Sequence, residues 1–380
     1  MNTATIARPN TVLIVAVVGL LVAGGLALSG LMTKGHAALN TNSLGMYWGL
    51  PIVVYDYFLL TSTGLAMVAA ISLVFGARDF AVVAKRCVWL SLAGLVGGVA
   101  VLALELGQPL RAIWAIPLNL QTSAPLFWKV LFVAAHVILL LALFAKLSRP
   151  GWTPESVRGT ALLSLGAALG VTVLAGGVYG TMTMRSFWSS GDVPVAFLAE
   201  SVLGGIAFMM FFSYLAHGFS QEAMSPRLKR LFTGNLPAVF AAVIVVHALF
   251  VGARTVTGLY GNAEGLQVWE HIVRSPLFHL EVWVGLAVPL VLMVMGGSRN
   301  SGGAQILASA LVMVSLLISR YDYIIGGQMV PLFKGSWAPD LLAYRPSMTE
   351  WMLFLTAIFL ANAVHAYGER NLGLSDEPAK

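Results

Sequence analysis

The chain is 380 residues long, and its 22 Lys+Arg and 16 Asp+Glu leave 10% of it charged, against about 25% in an ordinary soluble domain, which excludes a soluble globular protein. With 58% hydrophobic residues, the apolar surplus exceeds what one core can bury and needs lipid as its solvent. The formal charge of +6 falls in short clusters between apolar runs, the pattern of cytoplasmic loops rather than of a nucleic-acid-binding face, and the one cysteine, Cys87, excludes an internal disulfide, a C-x-x-C-H haem attachment and a four-thiolate cluster within the chain.

A membrane-crossing helix needs about 20 mainly apolar residues, and ten such runs stand between Gly, Pro and charge. They cover 11–32, 47–75, 87–106, 125–147, 160–184, 194–217, 236–256, 275–295, 304–325 and 348–367. The predicted fold class is an all-α integral membrane protein, a single domain over 1–380. The first run is longer than a signal-peptide core and has only Arg8 as a basic flank, so it reads as a retained helix. Ten crossings place both termini on one side. Lys and Arg are more numerous there and clustered, as in Pro226-Arg227-Leu228-Lys229-Arg230, which predicts a bacterial cytoplasmic membrane protein with cytoplasmic termini. The longer loops 33–46, 108–122, 258–271 and 326–347 then face outward as a docking surface.

An internal repeat runs through the middle of the chain. Pro125-Leu126-Phe127 opens helix four and Pro276-Leu277-Phe278 opens helix eight. Helix two carries Gly64-Leu65-Ala66 and helix six Gly205-Ile206-Ala207, while Gly107 precedes Arg111 as Gly252 precedes Arg254. These matches keep one order at offsets of 141 to 151 positions. They predict two parallel four-helix bundles, 47–185 and 194–325, with helix 348–367 added and a site available in either bundle.

Ionisable groups at membrane depth cost several kcal/mol unless paired or wet, so each is a functional candidate. Asp56, between Tyr55 and Tyr57, lies about 10 Å down helix two, and Glu200 lies at similar depth in helix six. Lys129, His136, His247, His279 and Glu281 add proton-exchanging or hydrogen-bonding groups; the competing reading for all of these is helix–helix glue. His136 and His247 read first as packing or proton-path residues, though their depths also fit an axial haem pair. Arg320 and Asp322, with Tyr321 and Tyr323, read equally as an interfacial anchor or part of a site. Arg111, Arg185 and Arg254 read as loop holders or contacts for an acidic partner, and Trp114, Trp188 and Trp337 as interfacial belt residues.

Four stretches carry a resemblance. They are Thr41-Asn42-Ser43-Leu44-Gly45 leading through Trp48-Gly49-Leu50-Pro51 and Tyr55-Asp56-Tyr57-Phe58 to Ser62-Thr63-Gly64; Leu104-Glu105-Leu106-Gly107-Gln108-Pro109-Leu110-Arg111; Ser123-Ala124-Pro125-Leu126-Phe127-Trp128; and Tyr344-Arg345-Pro346-Ser347 before Glu350-Trp351. In these the chain resembles the NrfD or polysulfide-reductase membrane-subunit family, which also includes membrane anchors of some hydrogenases and of alternative complex III. The resemblance implies a subunit without haem or iron–sulfur cluster that binds quinone, menaquinone or ubiquinone, near the outer face. There it would exchange electrons with a ferredoxin-like iron–sulfur subunit that commonly serves a molybdopterin catalytic subunit.

The chain departs from the family pattern at three places. Asp56 stands where some members have His, Glu105 and Gln108 alter the common Asp-Leu-Gly-Arg-Pro form, and Lys129 replaces a frequent Asp after Trp. Pocket roles carry over to Asp56, Tyr57, Glu105 and Lys129, with Tyr55 and Tyr57 as a ring-binding wall and either as a hydrogen-bond partner. Asp56 would accept or relay protons, Glu200 and His136 would assist proton movement, and Lys129 would steady negative charge or pair with Glu105. Two other functions fit the same residues: a proton- or ion-coupled secondary transporter using Asp56 and Glu200, and a haem b quinol anchor.

Overall fold

The structure, a computed structural model, describes residues 7–42, 45–261, 265–332, 335 and 339–374, with side chains from residue 10 onward; Lys334 and Trp337 lie outside the described residues. Among the described residues ten long apolar helices are present, α1 (Ala7–Lys34), α2 (Leu50–Leu73), α3 (Ala81–Glu105), α4 (Pro125–Leu147), α5 (Pro154–Gly180), α6 (Val193–Ala216), α7 (Leu236–Gly261), α8 (Pro276–Val294), α9 (Gly302–Gly326) and α10 (Met348–Asn371). This is a multi-pass all-α membrane protein. Short helices Pro109–Leu118, Pro226–Thr233 and Leu266–Val273 fill three of the links.

Five of the ten long helices carry proline in their first or second position, where its missing N–H is one the first turn would leave unbonded. Pro51 in α2, Pro125 in α4, Pro154 in α5, Pro194 in α6 and Pro276 in α8 all hold that place. Reciprocal capping boxes start α5 (Thr153 with Ser156) and α10 (Ser347 with Glu350). Inside α8 the backbone widens to a π-helix over Leu280–Ala287 just ahead of Pro289, whose missing N–H breaks the regular ladder.

Helix α2 is the centre of the molecule: 22 of its 24 residues are buried, whereas α1 turns most of its apolar side chains outward and packs on α10. Gly19 meets Phe359 and Gly30 meets Thr349, so α1 and α10 run antiparallel and the two chain ends share one membrane end. The opposite end is called distal below. Helices α2 and α6 cross at Gly64 and Gly205, the pair picked out by the internal repeat. A Cβ on either would collide with the backbone of the other helix, the close approach that small residues permit in membranes.

Helix α3 begins six residues earlier than the sequence predicts, which brings Lys85 and Arg86 out of the loop and into a buried helix face. Arg86 Nε donates to Glu369 Oε1 of α10 at 2.6 Å, and this pairing is what lets two charges lie inside the bundle. The basic link Pro226–Thr233 is a surface helix that buries Leu228, Leu231 and Phe232 and leaves Arg227, Lys229 and Arg230 outside.

Candidate functional site

Two charged groups sit near the distal end, one in each half of the chain. Asp56 lies about 9 Å along α2 from Leu50 at 1.5 Å per residue and is 1% exposed. Its Oδ1 accepts from Lys129 Nζ of α4 at 3.1 Å, and its Oδ2 accepts from the Tyr179 hydroxyl of α5. The half-buried Tyr55 ring lies 5.1 Å from the same ammonium. Three helices therefore converge on one carboxylate, and its charge is met by a cation, a hydroxyl and a ring face.

The second group is Glu200 of α6, bound through both carboxylate oxygens by Arg320 of α9; Nε lies 3.2 Å from Oε1 and Nη2 meets Oε2. Arg320 also lies over the Phe197 ring at 4.0 Å and the Tyr323 ring at 5.3 Å. An aromatic cluster joins the two groups: Tyr179 makes edge contacts with Trp48, Trp188 and Tyr323, and Trp48 stacks on Trp188 at 5.3 Å. Trp188 is 2% exposed and its Nε1 donates to the Tyr323 carbonyl at 2.7 Å. That corrects its reading as an interfacial belt residue: the indole N–H finds a partner inside, so burial costs little.

The distal loops are tied to this cluster by side chains. Gln328 Oε1 accepts from the backbone N–H groups of Tyr47 and Trp48 at 2.9 and 2.8 Å, and its Nε2 returns a bond to the Trp48 carbonyl. Arg185 donates to the carbonyls of Gly45 and Val330, the loop-holding role expected of it. Glu350 accepts from Asn40 N, Ser347 N and the Tyr344 hydroxyl, which in turn takes the Leu50 N–H at the start of α2. Burial and the adjacent Glu350 carboxylate push the Tyr344 phenol up from its ordinary value, which keeps it a proton donor.

The sequence-selected residues divide into separate places. Asp56, Lys129 and Tyr55 come together. Tyr57 turns to nearly the opposite face of α2, donates to the Met313 carbonyl at 3.0 Å and lines an apolar cleft with Phe208 and Phe354. Glu105 ends α3 half-buried; His36 Nε2 reaches its backbone carbonyl at 2.7 Å, and Lys129 bonds Asp56 instead of Glu105. His136 lies at mid-depth, where Nε2 is 3.2 Å from Ser62 Oγ, itself bonded to Ser91. Arg320 is a fully buried partner of Glu200, not an interfacial anchor. Sequence reasoning missed Tyr179, because the Gly-Val-Tyr-Gly ending of α5 carries no polar pattern that would mark it.

A bundle of apolar helices with buried, compensated charge near one membrane end defines a multi-pass membrane protein with a candidate site close to the bilayer boundary. Residues 38–332 match the family model described as "Polysulphide reductase, NrfD", and the chain belongs to that family. Relatives include a selenate reductase subunit of Mesobacillus selenatarsenatis, 23% identical with 80% of each chain covered. Another is a putative dimethyl sulfoxide reductase membrane subunit of Halobacterium salinarum, 22% identical with 89% of this chain and 86% of the relative covered.

Proposed function

We propose that this chain is the quinone-exchanging membrane subunit of a respiratory reductase complex. In this reading it spans a bacterial cytoplasmic membrane with its termini inside, and its distal face docks an iron–sulfur subunit that serves a molybdopterin catalytic subunit. The observation that carries the reading is the Asp56–Lys129–Tyr179 group, a charged and hydrogen-bonded set buried near a membrane end, with the half-buried Tyr55 ring at its edge. The donor set fits a quinone: an aromatic wall for the ring, an ammonium for a carbonyl oxygen and a carboxylate for a proton.

A bound quinol supplies two electrons and two protons. Tyr55 would hold the ring of a quinone, and Lys129 beside it would donate to a quinone oxygen. Asp56 takes the proton at Oδ1, while Tyr179 keeps Oδ2 occupied and the carboxylate fixed in one rotamer. Trp48 and Trp188 exclude water behind Tyr179, so proton exchange is confined to the Tyr55 edge. Electrons pass to a centre in the partner. The transporter reading is less supported, because both carboxylates already hold a protein cation in place of a coupling ion.

The test is a quinone titration of the purified protein in nanodiscs, followed by tryptophan fluorescence, on wild type and Asp56→Asn. The isosteric variant is expected to weaken binding at least tenfold, about 1.4 kcal/mol. Equal affinity and equal electron transfer in the variant remove Asp56 from the site.

A further inference from the structure

The Glu200–Arg320 pair borders a cavity of ≈ 70 Å³ in the second half of the chain, between α6, α7, α8 and α9. Space of about 10–15 Å³ suffices for one water, so a short water chain fits if polar partners are present. They are: both ring nitrogens of His247, Nη1 of Arg320 and Oδ2 of Asp322 are buried with no hydrogen-bond partner among the described residues. His247 is 4% exposed and Glu281 is 4% exposed; both line the cavity. The π-helical stretch of α8 carries Glu281, and single-turn widenings of this kind recur at functional sites.

Glu281 has Ser319 as its hydrogen-bond partner, and among the described residues no cation lies within salt-bridge reach of Glu281 or Asp322. The charged and titratable groups facing the space are Glu200 from α6, His247 and Arg254 from α7, Glu281 from α8, and Arg320, Asp322 and Tyr323 from α9. Three carboxyls thus share one bidentate arginine, and two of them have only neutral partners or water to meet.

A wider polar hollow of ≈ 460 Å³ lies at the distal surface, lined by Ser186, Ser190, Asp192 and Thr257, and it shares Phe187, Arg254 and Trp269 with the inner cavity as a common wall. Arg254 stands in that wall, 4.6 Å over the Tyr323 ring and 5.9 Å from the Trp269 ring.

We infer that Glu281, Asp322 and His247 line a hydrated proton-binding chamber, separate from the Asp56 group and filled from the distal surface past Arg254. Each proton arrives from vestibule water, adds to a carboxylate oxygen or a ring nitrogen, and leaves by the reverse step, so no further reactant is consumed. Arg320 occupies both oxygens of Glu200, and the chamber stores protons on the remaining groups. It does so with or without a bound quinone.

The test is infrared difference spectroscopy, acid minus alkaline, on the full chain in nanodiscs without quinone. Glu281→Gln and Asp322→Asn are each expected to remove one carboxyl equivalent from the protonated-carboxyl band. Gly261→Trp, at a vestibule position where a side chain meets open space, is expected to slow deuteration of that part at least tenfold and leave the exposed Glu222 signal unchanged. If Glu281→Gln does not fold, Asp322→Asn decides. A band unaltered by either carboxyl variant, or a deuteration rate unaltered by Gly261→Trp, overturns the chamber.

Discussion

Removing Lys129 exposes how far the Asp56 group is held together by charge. At 3.1 Å separation and an effective dielectric of about 20, the Coulomb attraction is ~5 kcal/mol before desolvation is counted. Breaking one side of a buried pair costs about 3–5 kcal/mol, because the survivor keeps its desolvation penalty without its partner. Lys129→Met leaves Asp56 with the Tyr179 hydroxyl alone. Asp56→Asn leaves Lys129 facing an amide and the Tyr55 ring. Each single variant is therefore expected to lose about 3 kcal/mol, while Asp56→Asn with Lys129→Met, which buries neither charge, recovers most of it. Reversible unfolding in mixed micelles of the four proteins closes the double-mutant cycle, with an expected coupling of about 5 kcal/mol, since two losses of about 3 kcal/mol combine into one of about 1 kcal/mol. A coupling below about 0.5 kcal/mol would refute the view that the two charges are mutually required at this depth.

Replacing Gly64 or Gly205 by Val is expected to cost more than about 3 kcal/mol or abolish folding, since the backbones leave no room, whereas Gly25→Ala, with open space around it, stays within about 0.5 kcal/mol of wild type; thermal unfolding compares them. Tyr344→Phe leaves the Leu50 N–H and Glu350 Oε1 without their bond and is expected to lose about 1–3 kcal/mol near neutral pH. Because the folded phenol is raised, its stabilisation is complete below its unfolded pKa of about 10 and is lost as pH rises above it, so the gap between wild type and Tyr344→Phe should narrow in alkaline unfolding curves. Glu369→Gln is expected to cost about 3 kcal/mol by removing the carboxylate that meets Arg86 in α3, read as a fall in unfolding midpoint that Arg86→Met in the same chain largely reverses.

The ten crossings were legible because each is a long apolar run that only lipid can solvate. The errors fall where tertiary pairing overrides composition. Lys85 and Arg86 look like a loop by charge, yet Glu369, far along the chain, makes Arg86 acceptable inside α3. Trp188 looks like an interfacial aromatic, but its partner is a carbonyl of α9. Asp56 was visible as a costly carboxylate, and Lys129 as an unusual cation; that they meet each other follows from the packing of α2 against its neighbours, which no local pattern encodes. Tyr179 had no signal at all. Gly64 and Gly205 were visible through the repeat, and their contact has a simple cause, since backbone-to-backbone crossing admits no side chain there.

That crossing also limits how the two halves of the molecule can communicate. At the contact the two glycine backbones meet directly and the side chains beside them are as short as Thr63 and Ser201, hydrogen-bonded at 3.3 Å, so there is little to repack, and a shift of one helix along the other would drive Cα into carbonyl. Asp56, about two turns from Gly64 on α2, and Glu200, about one and a half turns from Gly205 on α6, are thus held at a nearly fixed separation. A change of charge in one half is then felt in the other as a change of field through the aromatic cluster, decaying with distance. The two buried ion pairs thus sit in one rigid dielectric frame, in which a change of charge at one alters the field at the other without a moving part.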